Sequence, residues 1–190
     1  ELSRLSGIAY GKSRDADVAM RVVADHLRAV AFAIADGELP SNNKAGYVIR
    51  RILRRAIRYG YTFLGFREPF VSRLVPVLAM QMGEAFPELL AQQGLIEKVI
   101  AEEEASFLRT LSTGIQKFDQ YVASLAGGQV AGNFAFELFD TYGFPIDLTR
   151  LMAKEKGLDV DLIGFEANMQ EQKQRSRAAS VVETEDWMER

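Results

Sequence analysis

The sequence predicts a mainly α fold, a multi-helix chain in two helical subdomains with little or no sheet. Three observations carry that reading. Apolar residues recur at helical spacing through most of the 190 positions. No run of period-two alternation is long enough to demand a strand. The pair Gly127-Gly128 interrupts the helical pattern and marks a boundary between a first subdomain, residues 1–126, and a second, residues 129–179.

From Ala16 to Asp36 the positions Val18, Val22, Val23, Leu27, Val30, Ala31 and Ile34 follow a helical repeat, with Asp15 suited to cap the start and Gly37 to end it. Residues 37–44 hold Gly, Pro, Ser and Asn, which favour turns and side-chain bonds to backbone over helix. A loop therefore feeds a helix over residues 46–59. Gly65 and Pro69 mark a connector, and a further helix fits Phe70 to Met82. A long helical pattern then runs from Pro87 to about Leu125, although Gly94 and Gly114 argue against one unbroken rod. In the second subdomain a short helix fits Ala135 to Phe139, followed by a loop from Asp140 to Pro145. Further helices fit Leu148 to Lys156 and Asp161 to about Ala179. Residues 180–190, with the single Trp187, are charged and lack periodicity, and a frayed tail is expected.

Composition narrows the function classes. The chain has 48% hydrophobic residues and a net charge of -3, as an ordinary globular protein does. Any affinity for a polyanion must then come from a local patch. Cysteine is absent, which excludes disulfides, thiolate metal sites and cysteine nucleophiles within these residues. Apolar runs such as Val30 to Ala35 are far short of the roughly 20 residues that span a bilayer, so no membrane partner is expected. The sequence opens on Glu1-Leu2-Ser3-Arg4 without a start methionine or a signal-like segment, and it reads as a piece of something longer.

The local patch lies in residues 46–60. At about 100° per residue, Arg50, Arg51, Arg54, Arg55 and Arg58 fall within an arc of about 140°, while Ile49, Ile52, Leu53, Ala56 and Ile57 fill the other side. No acidic residue stands at i±4 to neutralise them. Arginine presents a planar, permanently charged fork that matches phosphate, so a nucleic acid is the first partner to test. The plainer reading is a solvated basic face. Phosphate contacts position a protein without specifying sequence, so base-edge readers are needed as well. Asn42 and Asn43, delivered by the loop to the start of the basic helix, are candidates, and turn formation or capping is the plain alternative.

Catalytic constellations are lacking. A single histidine, His26, cannot build an imidazole ligand cluster, and it reads as a packed or hydrogen-bonded structural residue. No phosphate-binding loop or dinucleotide fingerprint occurs. The run Glu102-Glu103-Glu104 lies mid-helix and is expected to be a solvated face. No catalytic residue and no metal ligand is assigned.

Several ordered strings resemble the alanyl-tRNA synthetase family. They are Arg21 to Arg28, Ile34 to Gly37, Leu39-Pro40-Ser41-Asn42, Gly46 to Ala56, and Phe139 to Thr149, within a similarity that runs from about Asp17 to Ala179. The resemblance implies the helical tRNA-recognition region that follows the class II catalytic domain of a cytoplasmic ligase, which attaches alanine to tRNA(Ala) using ATP and Mg2+. In that family an asparagine of the Pro-Ser-Asn loop and an aspartate of the Tyr-Asp-Thr-Tyr-Gly-Phe-Pro loop read a G·U wobble pair in the acceptor stem. These carry over to Asn42 and Asp140, and the tyrosine of the second motif is Phe139 here. Arg50, Arg51, Arg54, Arg55 and Arg58, with Lys44 beside them, would meet the tRNA backbone. The implied partners are the acceptor stem and the catalytic and editing domains of the parent chain. The class II signature motifs and the zinc ligands of the editing domain have no counterpart in these residues, so no cofactor is expected to bind here and no aminoacylation is expected from this piece alone.

Two other classes remain in view from the residues. A helical protein-interaction module could turn the same arginines toward an acidic partner, and binding insensitive to RNA competition would mark it. An autonomous enzyme would need His26 with neighbouring carboxylates, and His26→Ala with unchanged folding and RNA binding would argue against it.

Overall fold

The helical repeats become helices because each has one apolar stripe to bury. A computed structural model describes residues 1–125 and 127–185, with side chains through residue 176. In chain order it contains α1 (Leu2–Ser6), α2 (Arg14–Ala35), α3 (Lys44–Phe63), a 3-10 turn (Ser72–Leu74), α4 (Val75–Met82), α5 (Pro87–Ala91) and α6 (Gln93–Ser124). The two-residue strand β1 (Gln129–Val130) follows, then α7 (Gly132–Asp140), α8 (Ile146–Glu155), β2 (Asp159–Val160) and α9 (Leu162–Glu185). The fold is mainly α, as expected.

The chain divides into two compact units, Glu1–Ser112 and Thr113 onward. The division falls inside α6, upstream of the Gly127-Gly128 pair at which the sequence places it. The physical reason is that a helix break need not end a packed body. Beyond Thr113, α6 already belongs to the second core: Phe118 is fully buried, Tyr121 stacks on Phe134 at 3.9 Å, and its hydroxyl accepts from the Ala131 N–H at 3.2 Å.

In the first unit α2 packs along α3. Val23, Leu27, Ala31 and Ile34 of α2 and Ile49, Leu53, Ala56 and Ile57 of α3 are buried, joined by Phe70, Val71, Ile96, Ile100, Phe107 and Leu111. A satellite cluster of Ala16, Ala19, Met20 and Leu64 receives Leu2 of α1 together with Tyr59 and Phe63. Capping of α2 corrects one expectation. Ser13, in extended conformation, is the N-cap and its Oγ accepts from the Ala16 N–H at 3.4 Å, while Asp15 lies in the first turn. Both residue types suit a cap, but only Ser13 precedes the helical backbone. The long helical pattern breaks at Gln92 rather than at a glycine. There the Gln92 side-chain amide donates to the Ala35 carbonyl at the end of α2, at 2.6 Å.

In the second unit α7 crosses α9 at a point where Gly132 meets the backbone of Gly164 and Phe165, leaving no room for a Cβ. Val130, Ala135, Leu138, Phe144, Leu148, Met152 and Phe165 are buried with Phe118. β1 and β2 pair in parallel, Gln129 opposite Asp159 and Val130 opposite Val160. A pair this short has no periodicity to read from sequence. α9 continues to Glu185, into the stretch expected to fray; Trp187 and the rest of 186–190 lie outside the described residues.

Candidate nucleic-acid interface

The loop before α3 is folded back on the helix it feeds. The Ser41 N–H donates to the Gly46 carbonyl at 2.9 Å, and the Ser41 hydroxyl donates to the Asn43 carbonyl at 2.9 Å while accepting from the Asn43 N–H at 3.3 Å. Gly46 permits this closeness, because a Cβ there would collide with the Leu39 carbonyl and the Ser41 side chain. Asn43 occupies the N-cap position with extended backbone, and its side chain makes no capping bond. Lys44 opens the helix at a φ of 50°, exposed. Asn42 is held, exposed, at the mouth of this turn.

The arginine stripe is present on α3, but it is not a uniform ladder. Arg58 is buried, 5% exposed, with its guanidinium 5.6 Å from the Tyr59 ring centroid and 5.4 Å from that of Phe63. Arg50 forks onto Glu103 of α6, Nε to Oε2 at 3.0 Å and Nη2 to Oε1 at 2.5 Å, with both side chains under 20% exposed. Arg54 approaches the same carboxylate at 3.7 Å and lies 5.0 Å over the Phe107 ring. Burial holds Arg54 below its ordinary pKa, and the Glu103 charge opposes that shift. Arg51 and Arg55 are half-buried. The expectation that no acid neutralises the stripe holds within α3 and fails across the core, because Glu103 supplies the counter-charge from a helix 53 residues away.

Arg50 also carries the link to the candidate reader. Its Nη1 donates to Asn42 Oδ1 at 2.5 Å. A guanidinium donor at Oδ1 leaves the Asn42 amino group as the face available to an external acceptor.

The acidic run on α6 corrects a second expectation. Glu103 and Glu104 are not a solvated face. Glu104 is fully buried and accepts from the backbone N–H groups of Phe70, Val71 and Ser72 at 2.9, 2.9 and 3.0 Å. Burial pushes its carboxyl above the usual carboxylate range, and these three amides oppose the shift. The signal was in the spacing. Ile100, Phe107 and Leu111 define a stripe in which position 104 falls at i+4 from Ile100 and i-3 from Phe107, the step of a core residue.

Asp140 ends α7 and is exposed. Among the described residues no hydrogen bond or ion pair engages its carboxylate. After it the chain doubles back, the Phe144 N–H donating to the Leu138 carbonyl at 2.9 Å, with Phe144 fully buried. Phe139 turns its ring edge-on to Phe165 at 5.7 Å, so this position contributes packing where a tyrosine would add a hydroxyl. Lys117 stands beside this turn, 3.5 Å from Glu137 and 5.7 Å from the Tyr142 ring centroid, and its pKa is raised chiefly by the Tyr142 side chain. Asn42 belongs to the first unit and Asp140 to the second.

His26 lies in α2 with Nδ1 3.4 Å from the adjacent Asp25 carboxylate. Burial depresses its pKa below 6.5; the Arg55 charge adds to the effect and Asp25 opposes it. Among the described residues no group of three metal-ligating side chains converges, and no helix is long and apolar enough to cross a membrane.

Residues 1–189 match the family model described as tRNA synthetases class II (A). The chain is similar to the alanine–tRNA ligase of Christiangramia forsetii, 59% identical over 189 residues that make up 100% of this chain and 22% of the relative. It is 66% identical over 171 residues to that of Flavobacterium psychrophilum, covering 90% of this chain and 19% of the relative. With that of Bacteroides thetaiotaomicron it shares 57% identity over 190 residues, 98% of this chain and 22% of the relative. The chain thus spans about a fifth of the length of these curated relatives.

Proposed function

Because the chain belongs to the class II (A) tRNA synthetase family, as a region of an alanyl-tRNA synthetase, we propose that it reads the acceptor stem of tRNA(Ala) at a G·U wobble pair. On this reading Asp140 and Asn42 face the minor groove, which in A-form RNA is wide and shallow enough for side chains to reach base edges. A wobble pair leaves the guanine 2-amino group without its usual partner. Asp140 accepts from that amino group, and the amide nitrogen of Asn42 donates to a neighbouring acceptor.

The observation that carries the reading is the complementary state of the two side chains. Asn42 has its oxygen engaged by Arg50, leaving donors, and Asp140 has an exposed carboxylate that nothing engages among the described residues. One donor and one acceptor are what a purine amino group beside a base acceptor requires. Lys44, Arg51 and Arg55 supply the backbone contacts, with Arg50 and Arg54 contributing charge from behind their pairing with Glu103 and Arg58 serving the core. Attachment of alanine, with ATP and Mg2+, and the zinc of the editing domain belong to other segments of the parent ligase.

The test is a binding titration of the full chain against two acceptor-stem hairpins, one with the wobble pair and one with a Watson–Crick pair, at several salt concentrations. Asp140→Ala and Asn42→Ala are each expected to lose about 1–3 kcal/mol of discrimination. Lys44→Ala and Arg55→Ala are expected to weaken both hairpins alike and to flatten the salt dependence by about one phosphate contact each. Equal affinity of the unmodified chain for the two hairpins contradicts the reading.

A further inference from the structure

We propose that Glu103 is a positioning residue for wobble-pair recognition, acting through Arg50 on the amide of Asn42; the inference rests on the reading of Asn42 given above. The three groups form a relay. Glu103 binds two nitrogens of the Arg50 guanidinium, Nε at 3.0 Å and Nη2 at 2.5 Å, and the third, Nη1, donates to Asn42 Oδ1 at 2.5 Å. Because the guanidinium is a rigid plane, fixing two of its corners on one carboxylate fixes the direction of the third.

The relay matters because an asparagine amide is ambiguous. An exposed amide turned by 180° exchanges its donor and acceptor ends, and a reader that turns freely serves a wrong donor as well as the right acceptor. A cationic donor at Oδ1 selects one orientation, since the reverse places the amide hydrogens against the guanidinium. Asn42 and Lys44 are exposed, whereas Arg50 and Glu103 are 18% and 17% exposed, so the ordering originates in the protected half of the relay. The carboxylate is itself held from the other side by Arg54, 3.7 Å away and resting over Phe107. Glu103 touches no base on this account; it decides which end of Asn42 faces outward.

Two variants separate positioning from simple structural support. Glu103→Gln keeps the side-chain shape and removes one charged acceptor. Arg50→Lys keeps the positive charge but cannot bind Glu103 and Asn42 with the same planar fork. Each is expected to lower the wobble-over-Watson–Crick preference about three- to tenfold, as loss of one oriented hydrogen bond does, and Glu103→Gln is expected to do so without lowering affinity for the Watson–Crick hairpin. In an Asn42→Ala background neither is expected to lower the preference further, because the relay then has no terminus. Thermal melts check folding, and if Glu103→Gln fails to fold, Arg50→Lys decides. Wild-type preference in the variants alongside a loss in Asn42→Ala overturns the relay and leaves the reading of Asn42 standing. A further loss in the Asn42→Ala background as large as in the unmodified chain also overturns it. Unchanged preference in Asn42→Ala overturns both.

Discussion

Glu103 and Glu104 are neighbours in sequence with different physical duties. Glu103 meets two guanidiniums at a half-protected surface, and Glu104 is sealed in the core against three backbone amides. Those amides open the turn that leads into α4, and without the carboxylate they have no partner in a buried place. Glu104→Ala is expected to destabilise the chain by about 3 kcal/mol or more, read from urea unfolding monitored by circular dichroism. Glu102→Ala, at an exposed position on the same run, serves as the control and is expected to change stability by about 0.5 kcal/mol or less.

His26 gives a pH signature at the same scale. Its folded pKa is depressed below 6.5, chiefly by burial, so the unfolded chain takes up this proton first as the pH falls. The stability contributed by the neutral ring is therefore complete above pH 6.5 and is lost as the pH drops through the lower folded value. Melting temperatures between pH 8 and about 5 are expected to fall more steeply for the unmodified chain than for His26→Gln. Parallel curves for the two would show that the ring is not held neutral by the fold.

At the scale of elements, most of the helices were legible because a repeat of 3.6 residues needs only local information. Both α2 and α3 are long and amphipathic, and apart from Arg58 the residues they bury are apolar. What was not legible depended on partners distant in the chain. The break at Gln92 arises from its bond to the end of α2, 57 residues earlier, and the β1–β2 pair exists only because α7 and α8 return the chain alongside itself. The candidate site divides in the same way. Asn42 and the arginine stripe could be found in the sequence, but the partition of the stripe into the buried Arg58, the Glu103-bound Arg50 and Arg54, and the half-buried Arg51 and Arg55 could not, since it is set by α6 and by aromatic rings. One element contact is sharp enough to test. Gly132→Ala would drive a methyl group into the backbone of α9, and it is expected to cost about 2–3 kcal/mol, seen as a lower melting temperature with loss of near-ultraviolet dichroism. Gly94→Ala, where the added methyl meets open space, is expected to leave the melting temperature unchanged or slightly raised.

At the scale of the whole molecule, the two proposed readers belong to different compact units, Asn42 to the one ending at Ser112 and Asp140 to the one beginning at Thr113. On the proposed reading Asn42 donates and Asp140 accepts, so a stem that satisfies one alone gains only part of the discrimination. Net charge says little about this: the chain is mildly acidic overall, while residues 47–75 hold seven arginines against Glu68 alone.

The central claim is that the Asp140 carboxylate accepts from the exocyclic amino group of the wobble guanine. Inosine differs from guanosine by the loss of that group and keeps the rest of the pair, so affinities for G·U and I·U hairpins, measured with the unmodified chain and with Asp140→Ala, test it most directly. The account expects inosine to weaken binding to the unmodified chain by about 1–3 kcal/mol and to leave Asp140→Ala almost unaffected. An equal loss in both proteins, or none in either, would contradict it.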